Sequence, residues 1–435
     1  MKRKTITLFL LFLLSLQRCI PVFAEEPKLP DNTLKVATTP LNRVQQANAP
    51  VTLTAPSAIL MESEGGAVIF EQNADERRPI ASITKIMTLL LIFEALENGS
   101  IALSDTVTVS EHAASMGGSQ VFLEPYETQT VETMIKCITI SSANDACVAM
   151  AEHLAGSEEA FVARMNEKAA ALGMKQTTFV NCCGLDVNGH VSSARDVALM
   201  SCALMKYPKI KDYTTIWMDT ILHTTKRGQS EFGLANTNKL IKQCNGITGL
   251  KTGSTGEAKF CLSATAERNG VKLVAVVLAA PDPKARFREA AALLDYGFAT
   301  CSSYTDDHRD FEKTELPVKH GMRSVAEICP DGVFSHVFTE KTDVSEVTKE
   351  AELLEKLSAP ITKGTVVGRL VYRYKGREIG SVPLITTEDI PKMTFFSALR
   401  KGAVSYLLGD KNSHTEAAEP SQKPAKEGTQ GLTDG

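Results

Sequence analysis

The sequence predicts an α+β fold, in which an antiparallel sheet and a helical region form one domain and a small all-β domain follows. Three observations predict it. Apolar segments with helical spacing lie at 82–97, 133–156 and 158–172, and strand-like runs at 57–71 and 260–279 bracket them. These segments show no repeating βαβ rhythm, which argues against a parallel sheet. From 314 to about 385 the pattern is β alone.

At 435 residues the chain has room for two or three domains, and 43% apolar with 6% aromatic residues is ordinary globular composition. A net charge of −4 leaves no electrostatic footprint for nucleic acid. At the N-terminus, Lys2-Arg3-Lys4 precede the apolar run from Ile6 to Leu16, and Val22-Phe23-Ala24 places small residues at −3 and −1 before Glu25-Glu26. Residues 1–24 therefore read as a signal peptide, and the mature protein as exported. Cys19 is a poor lipidation site, since Arg18 precedes it, and cleavage after Ala24 removes it. The nine remaining cysteines, Cys137, Cys147, Cys182, Cys183, Cys202, Cys244, Cys261, Cys301 and Cys329, are odd in number and contain no C-x-x-C. Most lie in apolar stretches. They read as buried free thiols rather than a disulfide framework or a zinc site, which suggests a reducing or oxygen-poor niche.

Residues 25–52, rich in Pro, Asn, Thr and Gln, read as a linker. Ser57–Glu62 and Ala67–Glu71, joined through Gly65-Gly66, predict a hairpin that leads into Pro79-Ile80-Ala81-Ser82-Ile83-Thr84-Lys85-Ile86-Met87. If a helix begins at Ser82, its hydroxyl and the Lys85 amine share one face. The apolar run from Ile86 to Leu96 buries that helix, and a poorly solvated lysine favours its neutral form. A neutral amine beside a hydroxyl is a base beside a nucleophile. The bland reading is an N-cap serine and a surface lysine, and composition alone gives about two S-x-x-K matches in such a chain. The motif thus needs partners elsewhere.

Residues 100–130 show no regular periodicity. Two helical segments between Thr133 and Gly156 then flank Ser141-Ser142-Ala143-Asn144-Asp145. Capping explains one or two of these polar residues, but does not need both Ser142 and Asn144. His153 reads as a packed helix residue. Glu158–Leu172 predicts another helix, followed by the loop Asn181–His190. The third cluster, Gly249-Leu250-Lys251-Thr252-Gly253-Ser254, opens or precedes a strand. There a glycine permits close approach of another backbone, as a substrate adding along a sheet edge requires. K-T-G is expected only about 0.1 times by chance, which makes it the most specific of the three. Runs at 260–267 and 271–279 around Arg268-Asn269-Gly270 predict a hairpin, and Arg286–Phe298 an amphipathic helix. Ser302–Asp310 reads as a polar linker with His308 solvated.

A β domain at 311–390 follows, with a hairpin turned at Lys375-Gly376. Residues 391–409 read as a terminal amphipathic helix. Within 393–409, Phe395, Phe396, Leu399, Ala403, Tyr406 and Leu407 share one face and Lys401, Ser397 and Ser405 the other. Too short and charged to span a bilayer, it suits an anionic membrane interface, although such a face can also pack on a core. Residues 410–435 read as a disordered tail.

S-x-x-K, S-x-N and K-T-G in this order, with Gly189-His190-Val191-Ser192-Ser193-Ala194-Arg195-Asp196 between the last two, resemble the D-alanyl-D-alanine carboxypeptidases of the low-molecular-weight penicillin-binding proteins, Gram-positive type. The resemblance covers 53–300 and continues through the β domain and terminal helix. It implies a β-lactamase/transpeptidase-like domain that removes the terminal D-alanine from peptidoglycan pentapeptide stems. Penicillin and other β-lactams would acylate it. On this resemblance Ser82 is the nucleophile, Lys85 its base and Ser142 the proton donor to the departing amine, while Asn144 orients Lys85 and the substrate. Lys251, Thr252, Gly253 and Ser254 would bind substrate, the polar side chains taking its terminal carboxylate. The oxyanion hole would use the Ser82 N–H and another on the K-T-G strand. No metal or organic cofactor is implied. Peripheral attachment to the outer face of the cytoplasmic membrane through 393–409 is. Two departures stand out: Cys182-Cys183 replaces a common proline and histidine, and Asn236-Thr237-Asn238 lies where some members carry a carboxylate-binding arginine. The alternatives are a serine β-lactamase, for which residues 173–190 lack the deacylating glutamate, and a non-catalytic peptidoglycan scaffold, which needs no nucleophile with its base.

Overall fold

The computed structural model describes residues 51–400 apart from 227, 313 and 398. The predicted signal peptide, nearly all of the 25–52 linker, residues 401–409 of the terminal helix and the 410–435 tail lie outside the described residues. A five-stranded antiparallel sheet organises the first domain. Its strands are β1 (Ser57–Glu62), β2 (Val68–Gln72), β3 (Ile247–Thr255), β4 (Lys259–Arg268) and β5 (Val271–Ala280), in the order β2-β1-β5-β4-β3. Asn269 and Gly270, both at positive φ, turn the β4–β5 hairpin as the sequence predicts.

Helices cover both faces of the sheet, and the period of two along each strand divides its residues between two cores. Ile59, Met61, Val274, Val276 and Leu278 face a helical layer, while Ala58, Leu60, Leu273, Ala275 and Val277 face the opposite side. With both faces buried, β1 and β5 read as continuous apolar runs rather than alternating ones. The helical layer holds α1 (Lys85–Glu97), α2 (Val131–Ile140), α3 (Asn144–Ala155), α4 (Glu158–Ala171) and α5 (Ala194–Met205). The other face is covered by α6 (Ala285–Thr300).

Helix α1 lies among α2, α3, α4 and α5, with Ile86, Met87, Thr88, Leu89, Leu90, Ile92 and Phe93 buried. Each large apolar side chain there stabilises the fold by about 2 kcal/mol as an upper figure. Together they offset the several kcal/mol that sequestering a lysine amine costs. This is why the chain can hold Lys85 inside.

The second domain begins earlier than its composition suggests. Ser302–Asp306, read above as linker, is a strand antiparallel to Phe334–Phe338. Its polar side chains are satisfied by partners that periodicity cannot reveal: Asp306 accepts from the Tyr372 hydroxyl at 3.0 Å and from Lys349 at 3.1 Å. His308, expected in solvent, has a side chain only 6% exposed and lies 3.0 Å from the same hydroxyl. A six-stranded sheet completes the domain, its long hairpin Val366–Tyr374 and Arg377–Thr386 turned at Lys375-Gly376. Phe334 stacks on Tyr372 at 3.8 Å in its core.

Candidate active site

Ser82 sits in a 3-10 turn, Ala81–Thr84, and α1 proper begins at Lys85. The sequence placed the helix start at Ser82. The tighter coil serves the pairing better, because residues three apart eclipse in a 3-10 turn whereas in an α-helix they diverge. The Lys85 Nζ lies 3.2 Å from Ser82 Oγ, 2.6 Å from Asn144 Oδ1 and 2.7 Å from the Cys183 carbonyl oxygen. Both carbonyl oxygens can only accept. The amine donates to both and has one position left for the serine hydroxyl. The geometry thus leaves the serine hydroxyl as the third neighbour of the amine, within reach for proton transfer.

Asn144 is fixed from its other end, since its Nδ2 donates to the Gly117 carbonyl at 2.6 Å and its backbone N–H to that of Ser119 at 2.7 Å. Its Oδ1 is thereby turned toward Lys85. Capping does not account for this cluster: Ala143 is the N-cap of α3, with no side-chain cap. The anchoring falls to Asp145, whose carboxylate accepts from the N–H groups of Val121, Leu123 and Ala146, and whose pKa burial raises. Ser142 is left over, at φ 61° with a buried hydroxyl that has no hydrogen-bond partner. A strained backbone bearing an unsatisfied polar group is more often functional than structural.

Lys251, Thr252 and Gly253 lie within β3, an edge strand among the described residues, rather than before it. The Lys251 side chain is buried and donates to the Thr252 carbonyl at 3.0 Å, with no acidic partner among the described residues. Burial, then the charges of Lys85 and Arg286, push its pKa well below the ordinary lysine value. Thr252 Oγ1 donates to Thr237 Oγ1 at 2.6 Å, which brings the Asn236-Thr237-Asn238 segment to the site. Ser254 is exposed. At Gly253 a Cβ would stand 2.8 Å from the Ile80 oxygen and 3.1 Å from the Ser82 nitrogen, so only glycine lets β3 lie against the Ser82 turn.

The loop 181–190 closes the opposite side. Gly184 has φ 87°, and a Cβ there would meet the Ala81 oxygen at 1.9 Å. The His190 Nδ1 accepts from the Val180 N–H at 3.0 Å, so Nε2 carries the proton and donates to Thr84 Oγ1 at 2.7 Å. Thr84 in turn donates to the Ala81 carbonyl at 2.8 Å. Burial holds the His190 pKa down to about 4.

Sequence reasoning missed Arg286, which looked like one residue of an amphipathic helix. Its Nη1 donates to the Gly253 carbonyl at 3.0 Å from behind the strand, and its buried Nε has no partner. Nothing local marks it. His153, expected to pack, is exposed near the end of α3.

Residues 43–282 match the family described as D-alanyl-D-alanine carboxypeptidase, and 308–392 the C-terminal domain of penicillin-binding protein 5. The D-alanyl-D-alanine carboxypeptidase DacF of Bacillus subtilis is 43% identical over 347 residues, covering 80% of this chain and 88% of that protein. Penicillin-binding protein 5 from Haemophilus influenzae is similar in structure, with TM-score 0.62 and 31% identity over 79% of this chain and 100% of that one. A peptidoglycan synthesis regulatory factor (PBP3) from Streptococcus pneumoniae matches with TM-score 0.64 and 29% identity, over 78% of this chain and 100% of that one.

Proposed function

This chain belongs to the D-alanyl-D-alanine carboxypeptidase family, and from that premise we propose that Ser82 is its nucleophile and Lys85 the base that activates it. The protein is a serine-type D-alanyl-D-alanine carboxypeptidase of the low-molecular-weight penicillin-binding class. One observation carries the assignment: the Lys85 amine spans Ser82 Oγ and Asn144 Oδ1 in a buried place.

The neutral Lys85 amine takes the Ser82 proton as Oγ attacks the carbonyl carbon of the penultimate D-alanine. Backbone N–H groups of Ser82 and of the K-T-G strand hold the resulting oxyanion. The C–N bond then breaks, and Ser142, whose hydroxyl is free to do so, relays the proton taken up by Lys85 to the departing D-alanine amine, which leaves Lys85 neutral again. Water cleaves the acyl-serine ester and restores the enzyme. The substrate's terminal carboxylate supplies the anion that buried Lys251 lacks, with Thr252 and Ser254 as further donors, while Gly253 keeps the edge open for the stem peptide. A β-lactam forms the same ester but keeps its amine tethered, so release is slow.

Peptidoglycan stems and β-lactams are the ligands consistent with the family. A signal peptide at 1–24 would place the enzyme where its substrate is. No helix among the described residues is long and apolar enough to cross a membrane. Peripheral attachment through 393–409 is supported at its described start, where 395–397 and 399–400 are helical with Phe395 78%, Phe396 79% and Leu399 61% exposed.

The test is incubation with labelled penicillin followed by peptide mapping. Label on the Ser82 peptide, lost in Ser82→Ala together with D-alanine release and strongly reduced in Lys85→Ala, is expected. Full D-alanine release by Ser82→Ala would refute the mechanism.

A further inference from the structure

The proposed reaction uses the Cys183 carbonyl and leaves the thiols of Cys182 and Cys183 idle. Both side chains are buried; the Cys147 thiol donates to the Cys182 carbonyl at 3.1 Å and the Cys183 thiol to Asn181 Oδ1 at 3.7 Å. The Sγ atoms of Cys182 and Cys183 and a carboxylate oxygen of Glu158 lie within 4.8 Å of one another. The Cys182 N–H donates to Glu158 Oε1 at 3.0 Å and so aims that carboxylate at the thiols. Its other oxygen is 3.2 Å from His112 Nε2. The side chain of His112 is 55% exposed and that of Glu158 14%, so the cluster runs from the surface at the histidine to the buried thiols.

In a tetrahedral site with bonds of about 2.0 Å to nitrogen or oxygen and 2.3 Å to sulfur, neighbouring ligands stand roughly 3.3–3.8 Å apart. The ligand atoms of Glu158, Cys182 and Cys183, already within 4.8 Å of one another, would close to that range, and the exposed His112 side chain, which reaches Glu158 at 3.2 Å, would turn inward to complete it. Two thiolates, an imidazole and a carboxylate make a donor set that prefers zinc to magnesium or calcium.

We propose that Glu158, Cys182 and Cys183, with His112 as fourth ligand, bind one thiophilic divalent cation, Zn²⁺, and that Lys85 senses its occupancy through the Cys183 carbonyl. Binding converts two thiols to thiolates and releases their two protons to solvent. The Cys183 carbonyl accepts from Lys85 at 2.7 Å and the Cys182 carbonyl from Thr88 Oγ1 at 2.7 Å. A cation that draws the two thiols toward Glu158 therefore shifts the peptide that positions the base. This coupling rests on Lys85 being that base, whereas the site itself does not.

The full chain, reduced and stripped of metal, is titrated with Co²⁺ and then Zn²⁺. One Co²⁺ per chain with thiolate-to-cobalt charge-transfer absorption, displaced by Zn²⁺, is the expected result. Cys183→Ser should abolish the band. His112→Ala, a change at an exposed side chain that leaves the fold intact, should weaken Zn²⁺ binding at least tenfold. Zinc saturation should slow penicillin acylation at least threefold in the unsubstituted chain and not in Cys183→Ser. Absence of the charge-transfer band, or its undiminished persistence in Cys183→Ser, overturns the site. Saturation without a change in acylation overturns the coupling. If the metal-free chain is not acylated at all, the catalytic assignment fails instead, and the site stands on the cobalt spectrum.

Discussion

Ser142 combines two features that each cost stability. A left-handed backbone costs a non-glycine residue about 1–2 kcal/mol, and a buried hydroxyl without a partner about 1–3 kcal/mol. If the hydroxyl is kept for proton transfer, Ser142→Ala should not lower the melting temperature yet should slow acylation by about 10²-fold or more. Thermal unfolding and penicillin labelling of one preparation decide this, and a joint fall would make the hydroxyl structural. His190 gives a pH signature. Its folded pKa of about 4 lies below the ordinary 6.5, so as pH falls the unfolded chain takes up the proton first. The stability it contributes is complete above about 6.5 and is lost as pH falls toward 4, up to about 3 kcal/mol. Denaturant titrations should show His190→Gln less stable than the unsubstituted chain at pH 7, with the gap narrowing toward pH 4. A gap independent of pH would mean that this proton plays no part.

At the level of elements, the site is a junction of three backbones: the Ser82 turn, the edge strand β3 and the loop 181–190. Two glycines permit it. Gly253 admits the strand, and Gly184 admits the loop, whose Cys183 carbonyl then reaches Lys85. Gly184→Ala sets a Cβ against the Ala81 oxygen at a φ that L-residues avoid. It should destabilise by roughly 3 kcal/mol or more and abolish acylation even in molecules that remain folded. Melting temperature and penicillin stoichiometry together test it; near-normal values of both would show that the loop can move aside without consequence for the base.

Across the whole molecule, the β domain has its own core, built on Phe334, Val367, Leu370, Tyr372 and Leu384, and carries none of the proposed catalytic side chains. The proposed attachment to the membrane rests on the segment beyond it. Deleting 393–435 should release enzyme from liposomes containing anionic lipid with D-alanine release unchanged. Equal partitioning of the truncated and complete chains would reassign the exposed Phe395-Phe396 face to packing.

Much of this was legible along the chain because it depends on residues near one another in sequence. S-x-x-K needs only a helical turn, the hairpins at Asn269-Gly270 and Lys375-Gly376 need only their turn residues, and the apolar run after Lys85 already implied a buried helix. Even Ser142 and Asn144 stood out, as more polar residues than a cap requires. What the sequence left open are pairings between distant segments. The Cys183 carbonyl meets Lys85 across 98 residues and His190 meets Thr84 across 106. The role of Arg286 behind β3, the contact of Thr237 with Thr252, and the strand at Ser302–Asp306 belong with them. Periodicity reports which face of an element is buried, but it does not report what the element is buried against. Only tertiary packing brings the Ser82 turn, Asn144 of α3 and the loop carrying Cys183 close enough to share a lysine.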